Sequence, residues 1–197
     1  MPATAIAVAD LNRVLDAYAH LLEGVRPDQW ANPTPCASWD VRRLVDHVTT
    51  GTRVFAAVAN GERPEGMEGL QQLQALVVPA PDDDPVTSYL DSARQLREAF
   101  SRPDFPDGTY PTPAGERGGE FLIQMGLIET LIHGWDLAHA TGQIAAFPEA
   151  IVEQTLATAR VSLAGHPRDN RGFGVEQPAP EDAPAIDRLA AFLGRSV

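Results

Sequence analysis

The chain has 197 residues, 44% of them hydrophobic, with 27 acidic and 15 basic side chains and a formal net charge of −12, enough length for one buried core but not for a second catalytic domain. So acidic a chain is set against nucleic acid and anionic membranes, both of which are bound through clustered Lys and Arg. Every basic residue is arginine, which also excludes Schiff-base and pyridoxal-phosphate catalysis and a phosphate-loop lysine.

The single cysteine, Cys36, permits no internal disulfide and no cysteine-built zinc knuckle, as suits a reducing compartment. Met1 to Ala9 carries no basic residue ahead of its mild apolar run. No apolar run approaches the roughly 18 residues of a membrane span, so a cytoplasmic location is expected.

From Ala5 to Gly24 the apolar residues Leu11, Val14, Leu15, Tyr18, Leu21 and Leu22 recur at three- and four-residue steps, which predicts an amphipathic helix closing on glycine. Pro27, Asn32, Pro33 and Pro35 make the next stretch a loop. Ser38 offers an N-cap for a second helix, with Asp40 placed favourably for its dipole and Val41, Leu44, Val45 and Val48 on one side. Asn60-Gly61 stops it. Gly61 to Pro85 reads as connection with a short helix around Leu70 to Val77, and its acidic run Asp82 to Asp84 as solvated or capping.

Val86 to Phe100 is helical by pattern, and Pro103 to Gly119 is a Pro- and Gly-rich link. A long apolar helix is expected over Glu120 to Ala140, another over Pro148 to Leu163, and a short last one over Pro184 to Leu193. No strand alternation and no fixed repeat is visible. The expected class is all-α: a four-helix bundle over about residues 1–165, with additional short helices and a C-terminal extension over about 166–197, as a single domain.

The segment Phe121 to Leu137 is apolar in nearly every direction around its helix, which places it centrally in the fold. Glu129, His133 and Asp136 nevertheless share one stripe of it, His133 about 40° from Glu129 on one side and Asp136 about 20° on the other. Ionisable groups there are costly unless paired or bound to a cation. One reading is an ion pair joining two helices. The other is a pair of metal ligands, because Glu-x-x-x-His spans one helical turn.

A third ligand must then come from another helix, and His47 is the candidate, in a stripe with Gly51, Val54 and Val58. His20, His139 and His166 read as surface or capping residues. Cys36 precedes the second helix and reads as a packing residue, since no His or Asp partner is fixed beside it. Asp136 has two readings, an outer partner of a ligand or a cap and surface group.

The run Thr34-Pro35-Cys36-Ala37-Ser38-Trp39-Asp40-Val41, continuing to Leu44 and His47, carries a resemblance together with Glu129-Thr130-Leu131-Ile132-His133-Gly134-Trp135-Asp136-Leu137-Ala138 and Ala140-Thr141-Gly142. These motifs resemble the actinobacterial branch of the DinB-like metal-binding superfamily. They are most similar to the N-terminal metal-binding domain of mycothiol-dependent maleylpyruvate isomerase. The tail, from Gly172-Phe173-Gly174 to Phe192-Leu193-Gly194-Arg195, resembles single-domain members of that branch.

The resemblance implies a four-helix bundle holding a zinc-type divalent metal through His47, Glu129 and His133. The fourth position is left for water, a thiol or a substrate oxygen, and nickel or iron(II) are alternative ions. It implies mycothiol as cosubstrate of a metal-dependent transferase or isomerase, or else a non-enzymatic stress or sensory module built on the same metal. A homodimer is compatible with such a bundle. The isomerase family has a further C-terminal domain contributing to its active site, for which the tail here is too short, so maleylpyruvate isomerisation by this chain alone is not expected.

Overall fold

The computed structural model describes residues 3–36, 39–113, 115–164 and 173–197. Its seven helices are α1 (Ala3–Glu23), α2 (Val41–Ala59), α3 (Gly66–Val77), α4 (Pro85–Phe100), α5 (Gly119–Thr141), α6 (Glu149–Ser162) and α7 (Ala185–Phe192). Among the described residues the class is all-α, with one addition. Thr109–Thr112 (β1) and Gly115–Gly118 (β2) form an antiparallel hairpin, Thr109 opposite Gly118 and Thr112 opposite Gly115. This corrects the expectation of no strands.

The chain divides into two compact units, residues 1–15 with 45–126 and residues 16–44 with 127–197. Helices α1, α2 and α5 each contribute residues to both. In the first unit, Leu11, Val14, Val45, Val48, Val54, Tyr89, Ala93, Leu96 and Phe100 are buried, the apolar positions expected from helical spacing. The Tyr89 hydroxyl donates to Leu15 O at 3.1 Å, so the ring's polar end is satisfied inside that core. Phe100 stacks on Phe105 at 4.1 Å and Phe105 meets Tyr110 at 5.2 Å. Tyr110 also donates to Phe105 O at 3.0 Å. This aromatic anchor supports a hairpin of only four residues per strand, too short to show alternation in sequence. Helix α3 begins four residues earlier than expected and buries no residue, so apolar periodicity could not define its start.

In the second unit the core is Tyr18, Leu22, Val41, Leu44, Ile128, Leu131, Ile132, Trp135, Leu137, Ile151, Leu156, Leu189 and Leu193. A single 3₁₀ turn, Pro27–Gln29, opens the loop before α2. The loop is pinned to the end of α5 by Gln29 Nε2 donating to Thr141 O (2.8 Å) and Asn32 Nδ2 donating to Ala140 O (3.0 Å). The Asp40 carboxylate accepts from Arg43 N at 2.8 Å and so caps α2, while Ser38 lies outside the described residues. Trp135 Nε1 donates to Asp187 Oδ1 at 2.7 Å, and Arg188 pairs with Glu153, fastening α7 to α5 and α6. Gly134 allows a close approach, since a Cβ there would stand 2.3 Å from the Phe147 ring.

Candidate metal centre

Within the second unit, α5 sets three ionisable side chains on one stripe. His133 and Asp136 are 6% and 0% exposed, and Glu129 is partly exposed. His133 Nδ1 donates to Asp136 Oδ2 at 3.0 Å, and Nε2 lies 3.4 Å from Glu129 Oε2. The two ring nitrogens thus face different carboxylates.

Asp136 is held in turn by Arg195. Nε donates to Oδ1 at 3.0 Å and Nη2 to Oδ2 at 2.8 Å, a two-point clamp on a fully buried carboxylate. Arg195 reaches it because α7 ends in a glycine turn. Gly194 has φ +97°, its N–H bonds to Ala191 O at 3.0 Å, and Arg195 N–H bonds back to Ala190 O at 2.9 Å. The signal for this residue was the sequence Phe-Leu-Gly-Arg at a predicted helix end, but it gives no hint of Asp136 as the target.

A second approach comes from the loop before α2. Thr34 N–H and Oγ1 both donate to Trp39 O, at 3.0 and 2.9 Å, and Trp39 N–H donates to Cys36 O at 3.1 Å. This tight turn presents Trp39, whose ring lies 6.0 Å from that of His133, and half-buried Cys36. Arg43 stands 5.8 Å over the Trp39 ring. Contrary to the sequence reading of a packing residue with no His or Asp beside it, half-buried Cys36 has both close by. Its thiol, a His133 nitrogen and an Asp136 oxygen all lie within 4.8 Å of one another.

Burial alone would lower the pKa of His133, but its hydrogen bonds to Asp136 and Glu129 outweigh that cost and hold it up at about 9. Burial would likewise raise Asp136, yet His133 and Arg195 keep it below the usual carboxylate range. Burial pushes the Cys36 thiol up, with Asp136 and Glu129 adding to the rise and Arg195 opposing it. In metal-free protein the raised His133 value adds stability that is fully present below pH 6.5 and is lost as pH rises through about 9. Urea unfolding across that window is expected to show a fall of a few kcal/mol for wild type and none for His133→Gln. A flat wild-type profile would contradict this.

Among the described residues of the second unit, Cys36, His133 and Asp136 could together hold an ion. His47 is half-buried on α2, in the first unit. The Glu129–His133 pair fits a zinc-type ion, because bonds of 2.0–2.1 Å set neighbouring tetrahedral ligands about 3.4 Å apart. The hydrogen bond from Nδ1 to a carboxylate, which fixes a ligating imidazole, is also in place. His20 and His139 instead donate to main-chain oxygens one turn back, Asp16 O at 3.0 Å and Trp135 O at 3.1 Å. His166 lies outside the described residues.

No helix among the described residues is long and apolar enough to cross a membrane. The chain is 34% identical over 186 residues to uncharacterised proteins of Mycobacterium tuberculosis strains CDC 1551 and H37Rv, covering 94% of this chain and 95% of each relative. It is similar to the crystal structure of the mycothiol-dependent maleylpyruvate isomerase, with TM-score 0.64, 18% identity, and coverage of 80% of this chain and 68% of that one. A histidine-to-alanine mutant of the same enzyme gives TM-score 0.62 at 17% identity over the same shares. At these identities the likeness establishes the all-α, DinB-like fold. Since residues 11–138 match the mycothiol maleylpyruvate isomerase N-terminal domain, well over half of the chain, the protein belongs to that family.

Proposed function

We propose that the protein binds a divalent metal, zinc in the first instance, through His47, Glu129 and His133, and presents it to a low-molecular-weight thiol, mycothiol, as a thiol-dependent transferase or isomerase. One observation carries this reading. The buried His133 ring has its Nδ1 fixed by an Arg195-clamped Asp136, and its Nε2 turned to Glu129. Such an arrangement orients an imidazole for an ion and raises its basicity as a ligand. Family membership supports mycothiol, which is named in the description of the matching domain.

A bound zinc ion supplies Lewis acidity, lowering the pKa of a coordinated water or thiol. The chain's own residues do the rest. His133 gives up a ring proton when it becomes a ligand, and Asp136 keeps the remaining one at Nδ1. Arg195 keeps Asp136 ionised and in place. Trp39 shields the imidazole on the loop side, limiting access of bulk water to the ring.

Calorimetric titration of zinc-loaded protein with mycothiol tests the reading. Saturable binding is expected in wild type and its loss in His133→Ala, together with thiol-dependent turnover of an electrophilic substrate. Thiol binding or chelator-sensitive stability without turnover would leave the non-enzymatic metal module. A zinc-loaded protein that neither binds nor consumes the thiol would sink the proposal.

A further inference from the structure

The His133 imidazole has a second side that the function above leaves unused as a ligand. Cys36 Sγ, a His133 nitrogen and an Asp136 oxygen lie within 4.8 Å of one another, and Nδ1 is the nitrogen facing Asp136. We propose that Cys36, His133 through Nδ1, and Asp136 form a distinct cation site for a borderline-soft divalent ion of the zinc or cadmium class.

The donor chemistry specifies that ion. A thiolate favours soft and borderline metals, and an imidazole with a carboxylate completes a mixed sulfur, nitrogen and oxygen set. Thiolate and carboxylate together bring two negative charges against the divalent cation. Asp136 has lone pairs to spare. Arg195 takes one on each oxygen, and the second on Oδ2 is occupied only by the Nδ1 proton. An ion entering there replaces that proton, so binding releases the Nδ1 and thiol protons to solvent and no electron changes hands.

The turn closed by Thr34 and Trp39 holds Cys36 in place before the ion arrives. Nε2 remains turned to Glu129, so this site takes the ring nitrogen opposite to the one facing Glu129. The site needs neither His47 nor Glu129, but an ion in it takes the place of the Nδ1–Asp136 hydrogen bond that orients His133 in the function proposed above, so the two uses of the ring exclude one another.

Cobalt(II) is the probe. Because the chain has one cysteine, a thiolate-to-cobalt charge-transfer band in the near ultraviolet reports Cys36 alone. Full-length protein, stripped of metal and kept reduced with a phosphine, is titrated as wild type, His47→Ala, Cys36→Ser and the double variant, each checked for helicity by circular dichroism. The band is expected in wild type and in His47→Ala and absent from Cys36→Ser. Adding Cys36→Ser to His47→Ala is expected to weaken cobalt and cadmium binding about tenfold or more, at least the effect of losing a ligand's outer partner. A cobalt-saturated wild type without the band overturns the proposal, and so does a band that disappears in His47→Ala.

Discussion

Asp136→Ala is expected to lower stability by about 3–5 kcal/mol, because it strands the buried His133 and the half-buried Arg195 charge at once. Among the described residues the Arg195 head bonds only to Asp136 and, at 3.4 Å, to Leu193 O, and Asp136 also holds Nδ1 of His133. For a chain of this size the loss corresponds to a fall in melting temperature of about 6–20 °C. Metal affinity is expected to drop roughly 10- to 100-fold, the usual cost of removing a ligand's carboxylate partner. Asp136→Asn separates the two effects. It keeps the shape and one acceptor oxygen but loses the charge that pairs with Arg195, so it should destabilise less. Scanning calorimetry on both variants checks this. A melting temperature within about 2 °C of wild type for Asp136→Ala would mean the clamp contributes little.

Gly194→Ala is expected to cost about 2–4 kcal/mol. A Cβ at this position would meet the Gly174 backbone at 2.5 Å, and φ of +97° is strained for any side chain. Relief would move the turn that carries Arg195 to Asp136, so the variant should also weaken metal binding. Gly142→Ala is the control. It has φ +69° but nothing within 4 Å of the added carbon, so it should lose only about 1–2 kcal/mol and leave the site intact. Urea midpoints compare the two, and equal losses would show that the close approach at Gly174 does not matter.

The sequence carried the helices wherever an apolar stripe was buried. Helix α5 was legible from its apolar character all round, and Leu131, Ile132, Trp135 and Leu137 are indeed buried. The hairpin was not, because its stability comes from the Phe100, Phe105 and Tyr110 rings rather than from alternation within its four-residue strands. The common stripe of Glu129, His133 and Asp136 was visible because helical spacing alone puts them together. Cys36 and Arg195 were not, since they reach His133 and Asp136 through a closed turn and a glycine helix end. Those are tertiary placements with no local periodicity to announce them.

The most direct test of the central claim is the metal content of protein purified without tag or chelator, measured by elemental analysis for wild type, His47→Ala and Glu129→Ala. The account predicts near-stoichiometric zinc, or nickel or iron in its place, in wild type and little in either variant. No metal in wild type, with none taken up on dialysis against zinc, would contradict it. Glu129 and His133 would then stand as a half-buried ion pair of purely structural value.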